Sequence, residues 1–384
     1  MKRIVGATLV GLGFLLVVAA AGLPLYVAPA VSQLPYDLER STSVAESASA
    51  EFLQIKSGVP SVERGGLRSI VEVIPQAKAT EEKMTGDLEG EAVVWDVYQT
   101  VKRLDDGEAI SQYSTELAVE RRSGAAAKWD EAWLKDGTEQ PANYEGQVYK
   151  FPFGTEKKDY PVYDRDLRRA VPAQFKEVTK VRGIEVYRFE QTIPEEQLPL
   201  AEANLKLLLS RFAPQATTGR LMYSNTRSFW VEPVTGSYVD LRDQPRKELV
   251  PDVGPRTVVL GADFRYDEKT QSDSAKRAAD NASAITMVRL WGPLGLGLLG
   301  LVAIVGGAWL SLRGSRRPGA AVAAAGTGPD VVEPVGSGEH TGAHRVADDA
   351  AEKPSDDGAP ADADDARTAS LPEQRPPAER PATR

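Results

Sequence analysis

The sequence predicts a mainly β (α+β) protein, in which a large antiparallel β domain lies between two membrane-spanning helices and a disordered tail follows. Three observations carry this. Two long stretches lack any charge, the region between them alternates β-rich runs with glycine turns, and the last seventy residues lack aromatic side chains. No alternation of strand and helix marks a parallel doubly wound sheet.

The first uncharged stretch runs for 20 residues from Ile4 to Leu23, behind Lys2 and Arg3. As a helix it would span roughly 30 Å, one hydrocarbon core. A cleaved signal peptide is the competing reading, since Ala28-Pro29-Ala30 resembles a small-residue cleavage site. The apolar run is longer than the usual signal core of roughly 7 to 15 residues, so an uncleaved anchor is preferred.

The second stretch, Leu290 to Leu312, holds 23 uncharged residues with Trp291 and Trp309 near its ends and Arg313, Arg316 and Arg317 beyond. Interfacial aromatics and a basic exit mark a span that ends in the cytoplasm. Basic flanks at both termini predict a plasma-membrane protein with both ends cytoplasmic and the middle outside, although Arg289 lies on the outer flank. The expected segments are 1–31 for the N-terminus and anchor, 32–268 for the outer domain, 269–289 for a stalk helix, 290–312 for the second span and 313–384 for the tail. Gly295, Gly297 and Gly300 match a dinucleotide-binding fingerprint only by coincidence, because no soluble strand precedes them. Small residues four apart, Ala7 with Gly11 and Ala303 with Gly307, suggest where the spans pack.

Within the outer domain, Ala92 to Tyr98 and Ile110 to Val119 read as a hairpin around Asp105-Asp106-Gly107. Phe175 to Val181 and Ile184 to Phe189 flank Arg182-Gly183, and Ser228 to Val231 and Tyr238 to Leu241 flank a turn at Gly236. Further strands are expected at Ile70 to Ile74, Gln147 to Phe151, Arg220 to Tyr223 and Val258 to Tyr266. Leu200 to Phe212 has Leu205, Leu208, Leu209 and Phe212 on one helical face. Lys269 to Ala284 lacks a wide apolar face and reads as a stalk that leads into the second span.

Composition excludes much chemistry. The chain has 384 residues, 42% hydrophobic and 26% charged, with 46 basic against 55 acidic side chains and a formal charge of -9, which argues against a nucleic-acid partner. It has no cysteine, so no disulfide, thiolate nucleophile or cysteine-held metal is expected. Both histidines, His340 and His344, lie in the tail, and flanking glycines oppose the helix a metal pair would need. No serine-hydrolase elbow, metalloprotease helix, phosphate loop or calcium loop occurs. Asp164 with Asp166, or Glu195 with Glu196, are the remaining acid–base candidates, and the alternating charges from Asp164 to Arg169 read as a solvated, ion-paired segment. No enzyme, cofactor or metal is expected.

Val93, Trp95 and Val97 alternate with Val94 and Tyr98, so one strand is apolar on both faces. That suits a covered sheet or a barrel enclosing an apolar cavity. Were a cavity present, Trp95, Tyr187, Phe189 and Trp230 are the candidates for its lining, with Leu205, Leu208 and Phe212 on a helix acting as a lid.

The segments Phe151 to Pro161, Gly183 to Phe189 and Tyr223 to Gly236 resemble the actinobacterial porin PorA family of membrane proteins, over roughly residues 1 to 312. The resemblance implies no catalytic residue. A pore crossing lipid by strands would need an apolar outer band, which two apolar helices and a charged domain do not provide. The layout is similar to that of the CD36 scavenger-receptor family, whose outer domain encloses a lipid-conducting tunnel, although the disulfides of that family are absent here. The expectation is therefore an envelope protein that binds or conducts a lipid or other apolar ligand. The alternatives are a structural or adhesive module contacting cell wall or protein, and an oligomeric channel.

Overall fold

A computed structural model describes residues 2–313. The expected tail, with His340, His344, Arg316, Arg317 and the acidic stretches, lies outside the described residues.

The chain begins with helix α1 (Lys2–Gly22), a π-helical turn at Leu23–Val27 and a short α2 (Ala28–Val31). It ends with α5 (Glu268–Thr286), a second π-helical turn at Met287–Trp291 and α6 (Gly292–Arg313). Both helical stretches are long and apolar enough to cross a membrane. They pack antiparallel, with glycines at the seam. A Cβ added to Gly6 would lie 2.6 Å from the Gly307 carbonyl oxygen, and one added to Gly13 would lie 2.5 Å from that of Gly300. Only glycine permits this approach. Gly307 was expected in the seam, but Gly11 meets nothing within 4 Å; the working spacing is seven, not four.

Between the helices stand β1 (Ser41–Lys56), β2 (Val59–Pro75), α3 (Ala77–Lys83), β3 (Ala92–Arg103) and β4 (Ala109–Glu120). Then come β5 (Trp133–Asp136), β6 (Thr138–Pro141), β7 (Tyr160–Asp164), β8 (Arg169–Val181) and β9 (Ile184–Leu198). Helix α4 (Glu202–Phe212) precedes β10 (Gly219–Val231), β11 (Tyr238–Asp243), β12 (Arg246–Pro251), β13 (Thr257–Gly261) and β14 (Phe264–Tyr266). All fourteen strands join one sheet, and every pairing between them is antiparallel.

The three expected hairpins are β3–β4, β8–β9 and β10–β11. In the second, Arg182 and Gly183 both have positive φ, 49° and 87°, as a two-residue turn with the matching twist requires. Gln147 to Phe151 is not a strand; it contributes only bridges at Gln147. Those bridges matter, because Val119 of β4 pairs Ala126, Ala125 pairs Gln147, and Gln147 pairs Val162 of β7. The two sides of the sheet thereby meet, and the sheet becomes a closed wall.

Long strands are shared between two levels of that wall. The first half of β1 pairs β14 and the second half pairs β13, while β10 pairs β12 early and β11 late. The level of β11 and β14 adjoins α5, and the level of β12 and β13 adjoins α4. Strand β3 is apolar on both faces for a visible reason. Val93, Trp95 and Val97 face inward with Leu117 and Leu34, whereas Val94 faces outward beneath α3 and Trp129. Helix α5 does have a packing face, made of small residues: Ala275 and Ala278 are buried against Val186 and Val239. It lies on the wall and does not hold the domain away from the spans.

Candidate functional site

The wall surrounds an elongated, partly open cavity of about 1300 Å³. Along β1 its lining runs from Ser41 to Leu53, about 40 Å of extended strand, so the cavity is a tunnel of small bore. Alternation along β10 shows how the strands supply it. Leu221, Tyr223, Asn225, Arg227 and Phe229 all line the tunnel, each two residues after the last. At the helix-pair end the lining includes Val31, Arg277, Asn281, Ile285 and Val288. At the far end Leu200 and Leu208 meet Leu53, Leu221 and Val259, so α4 caps the tunnel with leucine.

Its middle is polar. The fully buried Asp164 carboxylate accepts the Tyr223 hydroxyl at 2.9 Å and the Leu167 backbone N–H at 2.9 Å. Arg227 lies between Asp164 at 3.4 Å and Asp243 at 3.1 Å. Burial lowers the pKa of the Arg227 guanidinium, but the two carboxylates outweigh it and hold it above its ordinary value. Lys247 donates to Asp166 at 2.6 Å. Burial pushes the Asp166 carboxyl up, yet Lys247 and Arg165 prevail and keep it below the usual range. Arg165 donates to Gln99 at 2.9 Å and stacks over the Tyr113 ring, whose hydroxyl meets that of Tyr149. Burial raises both phenols, so they stay protonated.

Two buried polar atoms on this wall, Trp95 Nε1 and Asn225 Oδ1, have no hydrogen-bond partner among the described residues. A buried amine stands nearer the helix-pair end. Lys150 Nζ donates to the Phe151 carbonyl at 2.8 Å and the Thr235 carbonyl at 2.7 Å. Burial lowers its pKa to about 7 against the pull of Glu232. A neutral amine has two N–H groups, and both find carbonyls here.

Of the expected lining residues, Trp95 and Leu208 face the tunnel. Tyr187, Phe189, Leu205, Phe212 and Trp230 do not. Phe189 sits on the inner face, directly opposite Phe229, but Phe151 stacks on it at 4.6 Å and seals it away. Tyr187 packs on Phe175 and beneath Lys157. Trp230 is one residue out of phase with Phe229 and packs outside, in the cluster that includes α5. Leu205 and Phe212 belong to the apolar cluster around α4 but do not reach the tunnel. The segment expected to be solvated divides: Asp164, Arg165 and Asp166 belong to the tunnel wall, whereas Arg168 and Arg169 are exposed. Tyr113, Asn225, Arg227 and Lys247 escaped sequence reasoning because alternating polar residues on a strand read as a solvent face. Glu195 pairs Arg256 and Glu196 pairs Arg169 on the outer surface.

The outward face of the wall carries further exposed ion pairs, Arg64–Glu51 and Arg68–Glu46 among them. A charged exterior is the opposite of a lipid-facing barrel's apolar band, whereas the two helical stretches are apolar enough to cross a membrane. Such an assembly defines a membrane protein in which two apolar helices flank a hollow antiparallel β domain. The porin PorA family model matches residues 5–309, and the chain belongs to that family. Porin PorA of Corynebacterium amycolatum is 27% identical over 42% of this chain, and the match spans 52% of that relative's length. Porin PorA of Corynebacterium resistens is 25% identical over 65% of this chain and 67% of the relative.

Proposed function

We propose that the chain is a non-enzymatic envelope protein, held by two spans in the plasma membrane with both termini in the cytoplasm. In this reading its outer β domain takes a lipid or similar amphiphile into the tunnel. The observation that carries the reading is the elongated cavity of about 1300 Å³ reaching from the helix pair to α4. Apolar ends with a polar middle suit a ligand that has both characters, and the unpartnered Trp95 Nε1 and Asn225 Oδ1 give it hydrogen-bonding points. Basic residues Arg3 and Arg313 at the ends of the helix pair support the orientation. The carboxylates of Asp164 and Asp166 are engaged by Tyr223, Arg227 and Lys247, which leaves no free acid–base pair there.

The test is extraction of the purified full-length protein followed by mass spectrometry of the bound material. Lipid should be recovered above a detergent control; repeated recovery of none would reject the reading. Protease on intact cells checks the orientation, since digestion of the tail with the middle spared would reverse it.

A second reading, an oligomeric channel, is favoured by the family's name and by the charged middle of the tunnel. Single-channel conductance in planar bilayers separates the two. A purely adhesive role would need no interior, and the cavity counts against it.

A further inference from the structure

Beside the helix-pair end of the tunnel lies a second, smaller recess of about 200 Å³. Two arginines from distant parts of the chain line it, Arg122 from the turn after β4 and Arg289 from the π-helical turn before α6. Both are exposed, and no carboxylate pairs with either side chain among the described residues. Ser32 and Gly154 complete the polar side, while Phe153 and Ile285 line both the recess and the tunnel.

The level of the recess follows from its neighbours. Trp291 and Leu290, directly after Arg289, are exposed, as is Tyr26 in the facing π-helical turn. The two turns pack side by side where the apolar helices enter the domain; a Cβ on Gly292 would touch Leu23. Exposed Trp and Tyr at such a junction mark the headgroup layer. Irregular π-helical turns are frequent at functional sites, and here one of them holds Arg289 over the recess. Arg289 is also the basic residue that the charge rule does not place on this side of the membrane. A ligand at this level accounts for it.

We propose that Arg122 and Arg289 clamp the phosphate of a membrane phospholipid, holding its headgroup in the recess and its chains against the helix pair beside the tunnel mouth. Two guanidinium forks lining one small recess match phosphate oxygens through charge-assisted hydrogen bonds. The recess accommodates a phosphodiester but not a folded partner. This inference rests on the two-span reading and not on what the tunnel carries.

Native mass spectrometry of the full-length protein in detergent, with added phosphatidylglycerol, tests it. The wild type should retain the phosphatidylglycerol adduct, and the double variant Arg122→Gln/Arg289→Gln should lose it by roughly tenfold or more. Diacylglycerol of the same chains should bind weakly and equally to both proteins. Inorganic phosphate at equal concentration should not displace the lipid; displacement would assign the recess to free phosphate and overturn the lipid reading. Equal retention by the double variant would overturn the proposal outright. A Val71→Trp variant, obstructed in the tunnel, should keep the adduct. Loss of the adduct there would place the lipid in the tunnel and not in the recess. Because neither arginine side chain has a carboxylate partner to lose among the described residues, unchanged thermal melting of the double variant is expected and confirms that it folds.

Discussion

Gly13 and Gly300 face each other across the two apolar helices so closely that a Cβ on either would stand 2.5 to 2.6 Å from the other's carbonyl oxygen. Gly6 and Gly307 repeat the relationship two turns away. Replacing Gly300 by leucine should force the helices apart and cost about 1 to 3 kcal/mol, read as a lower melting temperature in detergent. Gly11→Leu, at a position with nothing within 4 Å, should leave the melt unchanged. Equal effects of the two would show that this seam does not hold the pair.

Val71 points into the tunnel and its neighbour Glu72 to the other face of β2. Val71→Trp should remove the share of recovered lipid that the tunnel holds and leave the recess-bound phospholipid, whereas Glu72→Trp should remove neither. The comparison is made by quantitative lipid extraction from equal amounts of protein.

Breaking the buried ion cluster should be costly. Asp164→Asn leaves Arg227 with one carboxylate and removes the charged acceptor of Tyr223. A loss of about 3 kcal/mol is expected in the denaturant midpoint. Glu196→Gln, which releases Arg169 at the surface, should change stability by less than about 1 kcal/mol.

Lys150 makes stability depend on alkaline pH. Its folded pKa is about 7, below its ordinary value of 10.5, so between these values the unfolded chain binds the proton and the folded one does not. Stability therefore rises as pH increases from about 7 towards 10.5. Below that window both states are charged and the full cost of burying the charge remains. Lys150→Met should flatten this rise, measured as melting temperature against pH.

The sequence made the hairpins β3–β4, β8–β9 and β10–β11 legible, because their aromatic and β-branched runs end at turns that need glycine. It hid β1, whose first half, Ser41 to Ala50, is mostly serine and alanine and carries little strand preference. Phe189 and Phe229 lie opposite each other on one face, yet only Phe229 reaches the tunnel. What separates them is Phe151, contributed by an irregular segment whose position no periodicity reveals. The glycine seam was misread for a related reason: spacing within one helix does not fix the register against its partner. Arg165 read as a surface residue, and Arg227 drew no reading, because alternation cannot tell the inside of a hollow sheet from its outside.

The bridges from Val119 through Ala126 and Gln147 to Val162 leave neither β4 nor β7 with a bare backbone ladder at that level. The outermost strand, β6, is four residues long and carries Glu139 and Pro141, which discourage a neighbour from adding to it. Addition of a strand from a second copy is therefore discouraged at this junction.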